Sequence, residues 1–296
     1  MPIRIIAIDL DGTLISGDGE ISDRNRAAIA AARSAGVRVL ICTGRGLAEC
    51  RQYLDRIDQQ DPVAVAGGSI IADPRSGRTL HRFPVRLHMV HSTVERLVAQ
   101  GHPALVLKDP AEAGYDYLVV HGEQRLPLDP VTEWWFARMQ VRVRYVPHIH
   151  HDEHPEHTVR VGACGLSGTL GRLRDDLLAA SEGAAQVHSF PAVVAPEHAS
   201  RLPGGESLHI LELFDADANK WSAIRHLAAA WNIRSEEIAA IGDEVNDESM
   251  IRGAGLGIAM GNAVPSVRAI ARRHTLTHNQ DGVAHAVDRI LEGEWA

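Results

Sequence analysis

Two carboxylates set two residues apart, Asp9 and Asp11, end an isoleucine-rich apolar run over residues 3–8. Read as a buried parallel strand, the run directs both side chains to one side, because side chains on a strand alternate with a period of two. Both then stand at the carboxyl end of a strand, outside which open α/β sheets bind their ligands. A carboxylate there can attack phosphorus and carry the phosphoryl group as an acyl phosphate. A second carboxyl group can protonate the leaving oxygen and then take a proton from water. Asp9 is the candidate nucleophile and Asp11 the candidate acid and base. The plainer alternative is a strand-end turn that caps the next helix.

Three further patterns supply what such chemistry needs. Thr43-Gly44-Arg45 follows a second strand-like run, where a hydroxyl and free backbone N–H groups can hold phosphate oxygens; the same residues also suit an ordinary strand-to-helix turn. Lys220 opens a helix whose apolar positions include Ile224, Leu227, Ala228 and Trp231. An ammonium there joins the positive end of the helix dipole, so either it is a plain surface lysine or a phosphate or the Asp9 carboxylate justifies it. Finally, Gly242-Asp243-Glu244-Val245-Asn246-Asp247 crowds three carboxylates and a carboxamide into one loop after a strand. A hard cation such as Mg²⁺ takes a few oxygen ligands and completes six with water and phosphate. Asp243, Asp9 and the Asp11 carbonyl make that site, with Asp247 helping directly or through water; Glu244 reads equally well as a solvated helix cap.

The elements that must position these groups follow an alternating rhythm. A helix begins at Ser22 or Asp23 and stops at Gly36; strands are expected at 37–42 and 63–66, with a helix near 47–57 between them. That is the pattern of a doubly wound parallel sheet. From about 82 the rhythm changes to strand-like pieces at 117–120, 159–164, 187–190 and 208–213, with helical segments near 88–100, 130–139 and 168–181. A helix over 219–231, a strand ending at Ile241 and another around 256–260 then restore the first pattern. The expectation is an α/β protein with a catalytic core formed by 1–82 and 213–296 and an inserted α+β domain over 83–212.

In this order, DLDGTL (9–14), TGR (43–45), Lys220 and GDEVND (242–247) resemble the haloacid dehalogenase superfamily, in its Cof-type sugar-phosphatase branch. Met260-Gly261-Asn262-Ala263 and the stretch from Asn279 to Ala284 look like that branch's closing signature. The resemblance implies a Rossmann-like parallel-sheet core and a large inserted α/β cap that closes over the site. It further implies Mg²⁺ held by Asp9, Asp11, Asp243 and Asp247, Asp9 as nucleophile and Asp11 as acid and base. Thr43, Gly44, Lys220 and Asn246 bind phosphate on the same ground. An Asp at position 11, where the related ion-pumping ATPases have Thr, implies rapid hydrolysis of the aspartyl phosphate. Two departures stand out: Gly67-Gly68 where the branch usually has Asn-Gly, and Trp221 where Gly is usual, a bulk that narrows the pocket or alters the approach of Lys220.

The expected function is hydrolysis of small phosphorylated metabolites, sugar phosphates foremost. The alternatives are a sugar phosphomutase of the phosphomannomutase type and a non-catalytic regulator that binds a phosphometabolite. A net charge of -8 without a run of Lys or Arg argues against a nucleic-acid partner. No segment reaches the apolar length of a membrane span or a signal sequence, so the expected place is the cytoplasm. Cys42, Cys50 and Cys164 form no CxxC pair and read as core residues or free thiols. Five histidines between 148 and 157 share their stretch with Asp152, Glu153 and Glu156, a composition able to bind Zn²⁺ or Ni²⁺ but read as a solvated loop for want of an element to fix the spacing. Trp134-Trp135-Phe136 is expected to pack within the insert.

Overall fold

The computed structural model describes residues 2–192 and 207–295. Two compact units emerge, Met1–His81 with Asn219–Ala296, and Arg82–Ala218. In the first unit β1 (Ile5–Ile8) is buried at every residue, as a strand flanked on both sides must be. Helix α1 (Asp23–Ser34) follows, with the Ser22 hydroxyl accepting the Asn25 N–H at 3.1 Å, then β2 (Arg38–Ile41), α2 (Leu47–Arg56) and β3 (Val63–Val65). The expected strand at 63–66 joins the parallel sheet through a single bridge, Cys42 opposite Ala64. Otherwise β3 pairs antiparallel with β4 (Ile70–Ala72), which lies beside β5 (Thr79–Arg82). The reason is a reversal at Ala66–Gly68, where three successive residues have positive φ: Ala66 (52°), Gly67 (70°) and Gly68 (96°).

The second unit runs through α3 (Leu87–Ala99), β6 (Ala104–Lys108), α4 (Pro110–Ala113), β7 (Tyr117–Val120), α5 (Pro130–Met139), β8 (Val143–Val146), β9 (Thr158–Leu166), α6 (Ser167–Ala180), β10 (Ala185–Pro191) and β11 (Leu208–Asp215). Its six strands lie in the order β10-β11-β9-β6-β7-β8. All neighbours are antiparallel except β7 and β8, which α5 connects in parallel. Apolar residues of α3 and α6, among them Val90, Val94, Leu97, Leu170, Leu173 and Leu177, share a core with Leu118, Val161 and Leu211 of the sheet. Phe136 on α5 packs on Tyr117, with ring centroids 4.8 Å apart. This unit runs to Ala218, and β11 keeps pairing with β10 as far as Asp215.

Back in the first unit come α7 (Lys220–Ala230), β12 (Ile238–Gly242), α8 (Glu248–Gly253), β13 (Leu256–Ala259), α9 (Pro265–Ile270), β14 (Arg273–His274) and α10 (Gly282–Leu291). The five-stranded sheet is β14-β13-β12-β1-β2, parallel throughout. The chain leaves β1 toward β2 on one side and returns in β12 on the other, which makes the β1/β12 edge the topological switch point where such sheets bind ligands. All three cysteines are buried and free. Among the described residues no helix is long and apolar enough to cross a membrane.

Candidate active site

Asp9 directly follows β1 and Asp243 directly follows β12, so the parallel pairing of Ile8 with Ile241 delivers both to the same end of the sheet. Lys220, the first residue of α7, is fully buried. Its ammonium donates to Asp9 Oδ1 at 2.5 Å and to Asp247 Oδ1 at 2.6 Å. The second oxygen of Asp247 accepts the backbone N–H groups of Asp243 and Glu244 at 2.9 and 3.0 Å. Asp247 therefore ties the loop to the lysine with both oxygens. Asp243 is braced in its turn: Thr13 Oγ1 donates to one oxygen at 2.9 Å and Asn262 Nδ2 to the other at 3.2 Å.

Two glycines make this closeness sterically possible. Gly12 has φ +73°, and a Cβ on it would lie 2.3 Å from Asp243 Oδ2. Gly68 has φ +96°, and its Cβ would lie 2.3 Å from the Asn219 carbonyl and 2.6 Å from the Lys220 nitrogen. Any side chain at Gly68 would push away the turn that presents Lys220. The bulk of Trp221 goes elsewhere: its ring sits where a Cβ on Gly253 would be, within the packing of α7 on α8.

The remaining candidates occupy neighbouring positions. Asn246 Nδ2 comes within 3.7 Å of where a Gly44 Cβ would be, so these two meet across the mouths of β2 and β12. The buried Thr43 hydroxyl accepts the Arg45 N–H at 3.1 Å. Asp11 is held apart from the buried carboxylates, in a bidentate pair with Arg45 at 2.8 and 2.6 Å. Arg45, Thr13 and Asn262 were not singled out as site residues from spacing. Their only sequence signal is membership of the motifs at 9–14, 43–45 and 260–263.

The electrostatics favour a cation. Asp9, Asp243 and Asp247 each offer a carboxylate oxygen within 4.8 Å of the others, and one ammonium cannot balance three carboxylates. Burial pushes Asp9 well above its ordinary value, and Asp247 adds to this against the pull of Lys220. Burial, then Asp247, raises Asp243 to about 7 despite the Thr13 hydrogen bond. For Lys220 burial acts downward, but Asp247 and Asp9 outweigh it and hold the ammonium above its usual range. An all-oxygen donor set with surplus negative charge fits a hard divalent ion.

The model of haloacid dehalogenase-like hydrolases matches residues 6–145 and 204–287. The chain belongs to this family. Within it the protein is a Cof-type hydrolase and a phosphatase. It is 28% identical over 312 aligned positions to 5-amino-6-(5-phospho-D-ribitylamino)uracil phosphatase YwtE of Bacillus subtilis (strain 168), across 99% of this chain and 100% of that one. A solved haloacid dehalogenase-like hydrolase from B. subtilis superposes with a TM-score of 0.74 at 25% identity, covering 97% of this chain and 99% of the other. The subclass IIB sugar phosphatase BT4131 shares the fold at a TM-score of 0.74 and 19% identity, over 97% and 98% of the two chains.

Proposed function

We propose that this phosphatase hydrolyses small phosphorylated metabolites, sugar phosphates foremost, with Mg²⁺ and through an aspartyl phosphate on Asp9. The observation that carries the reading is the buried contact of Asp9 Oδ1 with Lys220 Nζ at 2.5 Å beside Asp243 and Asp247. A nucleophilic carboxylate needs a neighbour that favours its ionised form against burial and neutralises the incoming phosphoryl oxygens, and Lys220, which pulls Asp9 toward the ionised form, suits both roles. Asp9 and Asp243 are the side chains assigned to the metal, with the Asp11 carbonyl; Asp247 helps by orienting the Asp243 loop and Lys220. Bound there, Mg²⁺ supplies Lewis-acid neutralisation of phosphoryl charge.

An oxygen of Asp9 forms the bond to phosphorus as the ester P–O bond breaks, and the leaving oxygen takes a proton from Asp11. Water then attacks the acyl phosphate while Asp11 takes its proton, and Asp9 returns as a carboxylate with inorganic phosphate released. Asp11 must leave the Arg45 clamp and hold a proton to serve as acid, so Arg45 is the residue that positions it between the two halves of the reaction. Thr43, the Gly44 backbone and Asn246 are assigned to the phosphate oxygens.

The substrate class rests on the relatives, one named for a phosphoribityl compound and one a sugar phosphatase. A phosphate-release screen over sugar, nucleotide and cofactor phosphates with Mg²⁺ tests it, alongside Asp9→Asn. The variant should lose at least about 10³-fold in turnover, as removal of a nucleophile does. Full Mg²⁺-dependent turnover by Asp9→Asn would end the mechanism.

A further inference from the structure

We propose that His154, Glu156 and His157 in the insert form a second metal site, one that takes a divalent transition cation of the Zn²⁺ class. Each of the three offers a ligand atom within 4.8 Å of the other two. The histidine-rich stretch, read from its composition as a solvated loop, is mostly exposed or half-buried but carries local structure. It contains two 3-10 turns, Ile149–His151 and Pro155–His157, the second with His154 at its N-cap. With three residues per turn, positions i and i+3 eclipse. That brings the His154 and His157 rings to one side, with centroids 6.0 Å apart.

The donor chemistry also fits. His157 Nε2 lies 3.1 Å from Glu156 Oε1, near the ligand-to-ligand edge of roughly 3.3 Å that a tetrahedral site with bonds of about 2.0–2.1 Å imposes. Among the described residues His157 Nδ1 is buried with no hydrogen-bond partner. The buried Nδ1 then carries the ring proton, which leaves Nε2, facing Glu156, as the nitrogen that the ring offers to a cation. Two imidazoles with one carboxylate select a transition cation over Mg²⁺.

The backbone that carries these ligands is fixed before any ion arrives. Lys108, fully buried, pairs with Asp152 and donates to the His154 carbonyl at 3.1 Å and to Thr158 Oγ1 at 2.7 Å. Asp152 accepts the His154 N–H at 3.1 Å, and the Asp109 N–H donates to the His157 carbonyl at 2.8 Å. Ligands on a rigid frame need little further ordering to bind. Glu156 is exposed, which leaves the remaining coordination position open to water.

The untagged chain, stripped with a chelator and then saturated with Mg²⁺ to fill the carboxylate cluster, is titrated with Zn²⁺ by calorimetry and with Co²⁺ by visible absorption. One Zn²⁺ per chain and the strong visible bands of a four-coordinate Co²⁺ are expected. His154→Ala and His157→Ala should each weaken uptake at least about tenfold, while His150→Ala and His151→Ala on the neighbouring turn leave it unchanged. Because Glu156 is exposed, Glu156→Gln tests the same site without disturbing the fold, and weakened uptake with an unchanged metal-free Tm supports the proposal. No Zn²⁺ uptake in the presence of Mg²⁺, uptake unchanged in Glu156→Gln, or uptake that survives in the His154→Ala/His157→Ala double variant overturns it.

Discussion

Two lysines are fully buried, one in each unit, and their surroundings treat them oppositely. Lys220 faces two carboxylates, Asp9 and Asp247, which more than reverse the effect of burial and keep its pKa above the ordinary value. Lys108 has one carboxylate, Asp152, and two neutral acceptors, the His154 carbonyl and the Thr158 hydroxyl. There burial wins and the pKa is lowered. Equal burial thus gives opposite shifts, and the number of carboxylates in contact decides the sign. In the insert, cation and anion balance and serve the fold. In the core, negative charge is left over, which is what a site for a cation and a transferring phosphoryl group requires.

Exchanging each lysine for methionine is the most direct way to break this contrast. Lys108→Met leaves Asp152 buried without its cation and should cost about 3–5 kcal/mol of stability, read from denaturant midpoints, with phosphate release per folded molecule at the parent value. Lys220→Met should lower phosphate release about 10²–10³-fold, as loss of a preorganised donor does. If Lys108→Met abolished turnover at unchanged stability, the roles of the two would have to be exchanged.

A smaller effect follows from Asp243, whose carboxyl titrates at about 7 without a metal. Below that pH protonation competes with the cation, so Mg²⁺ affinity measured by calorimetry should fall about tenfold per pH unit and level off above it. The smallest effect lies at alkaline pH. Because the folded pKa of Lys108 is below 10.5, in the interval between the two values the unfolded chain holds a proton that the folded chain has lost. Stability therefore rises with pH up to 10.5 through this group, and Lys108→Met should lack that rise. Lys220, raised above 10.5, contributes in full below that value and loses its contribution only as pH climbs through the folded pKa. Unfolding free energies of parent and Lys108→Met across this range check the sign.

Much of the core was legible because strand ends and motif spacing are local. An apolar run places Asp9 and Asp11 at its exit, and the same logic places Asp243 after β12. Most elements of the insert were readable from apolar period as well, though not β6 or β8, and the antiparallel pairing of β3 with β4 was not, since the reversal at Ala66–Gly68 depends on left-handed backbone at Ala66 as well as at two glycines. Nor did composition show how the histidine-rich stretch would be held. Lys108 anchors it from 44 to 50 positions away in sequence, a contact that no local pattern announces.

By itself the sequence determined the reaction class, a phosphatase, because the residue types at Asp9, Asp11, Lys220 and Asp243 and their order along the chain carry the family resemblance. Only the tertiary structure decided how those groups are arranged around one another. Lys220 reaches Asp9 across 211 positions and Thr13 reaches Asp243 across 230, and Asp11 is turned to Arg45. Hydrogen bonds act over about 3 Å, a distance that sequence separation does not encode and that parallel pairing of β1 with β12 creates.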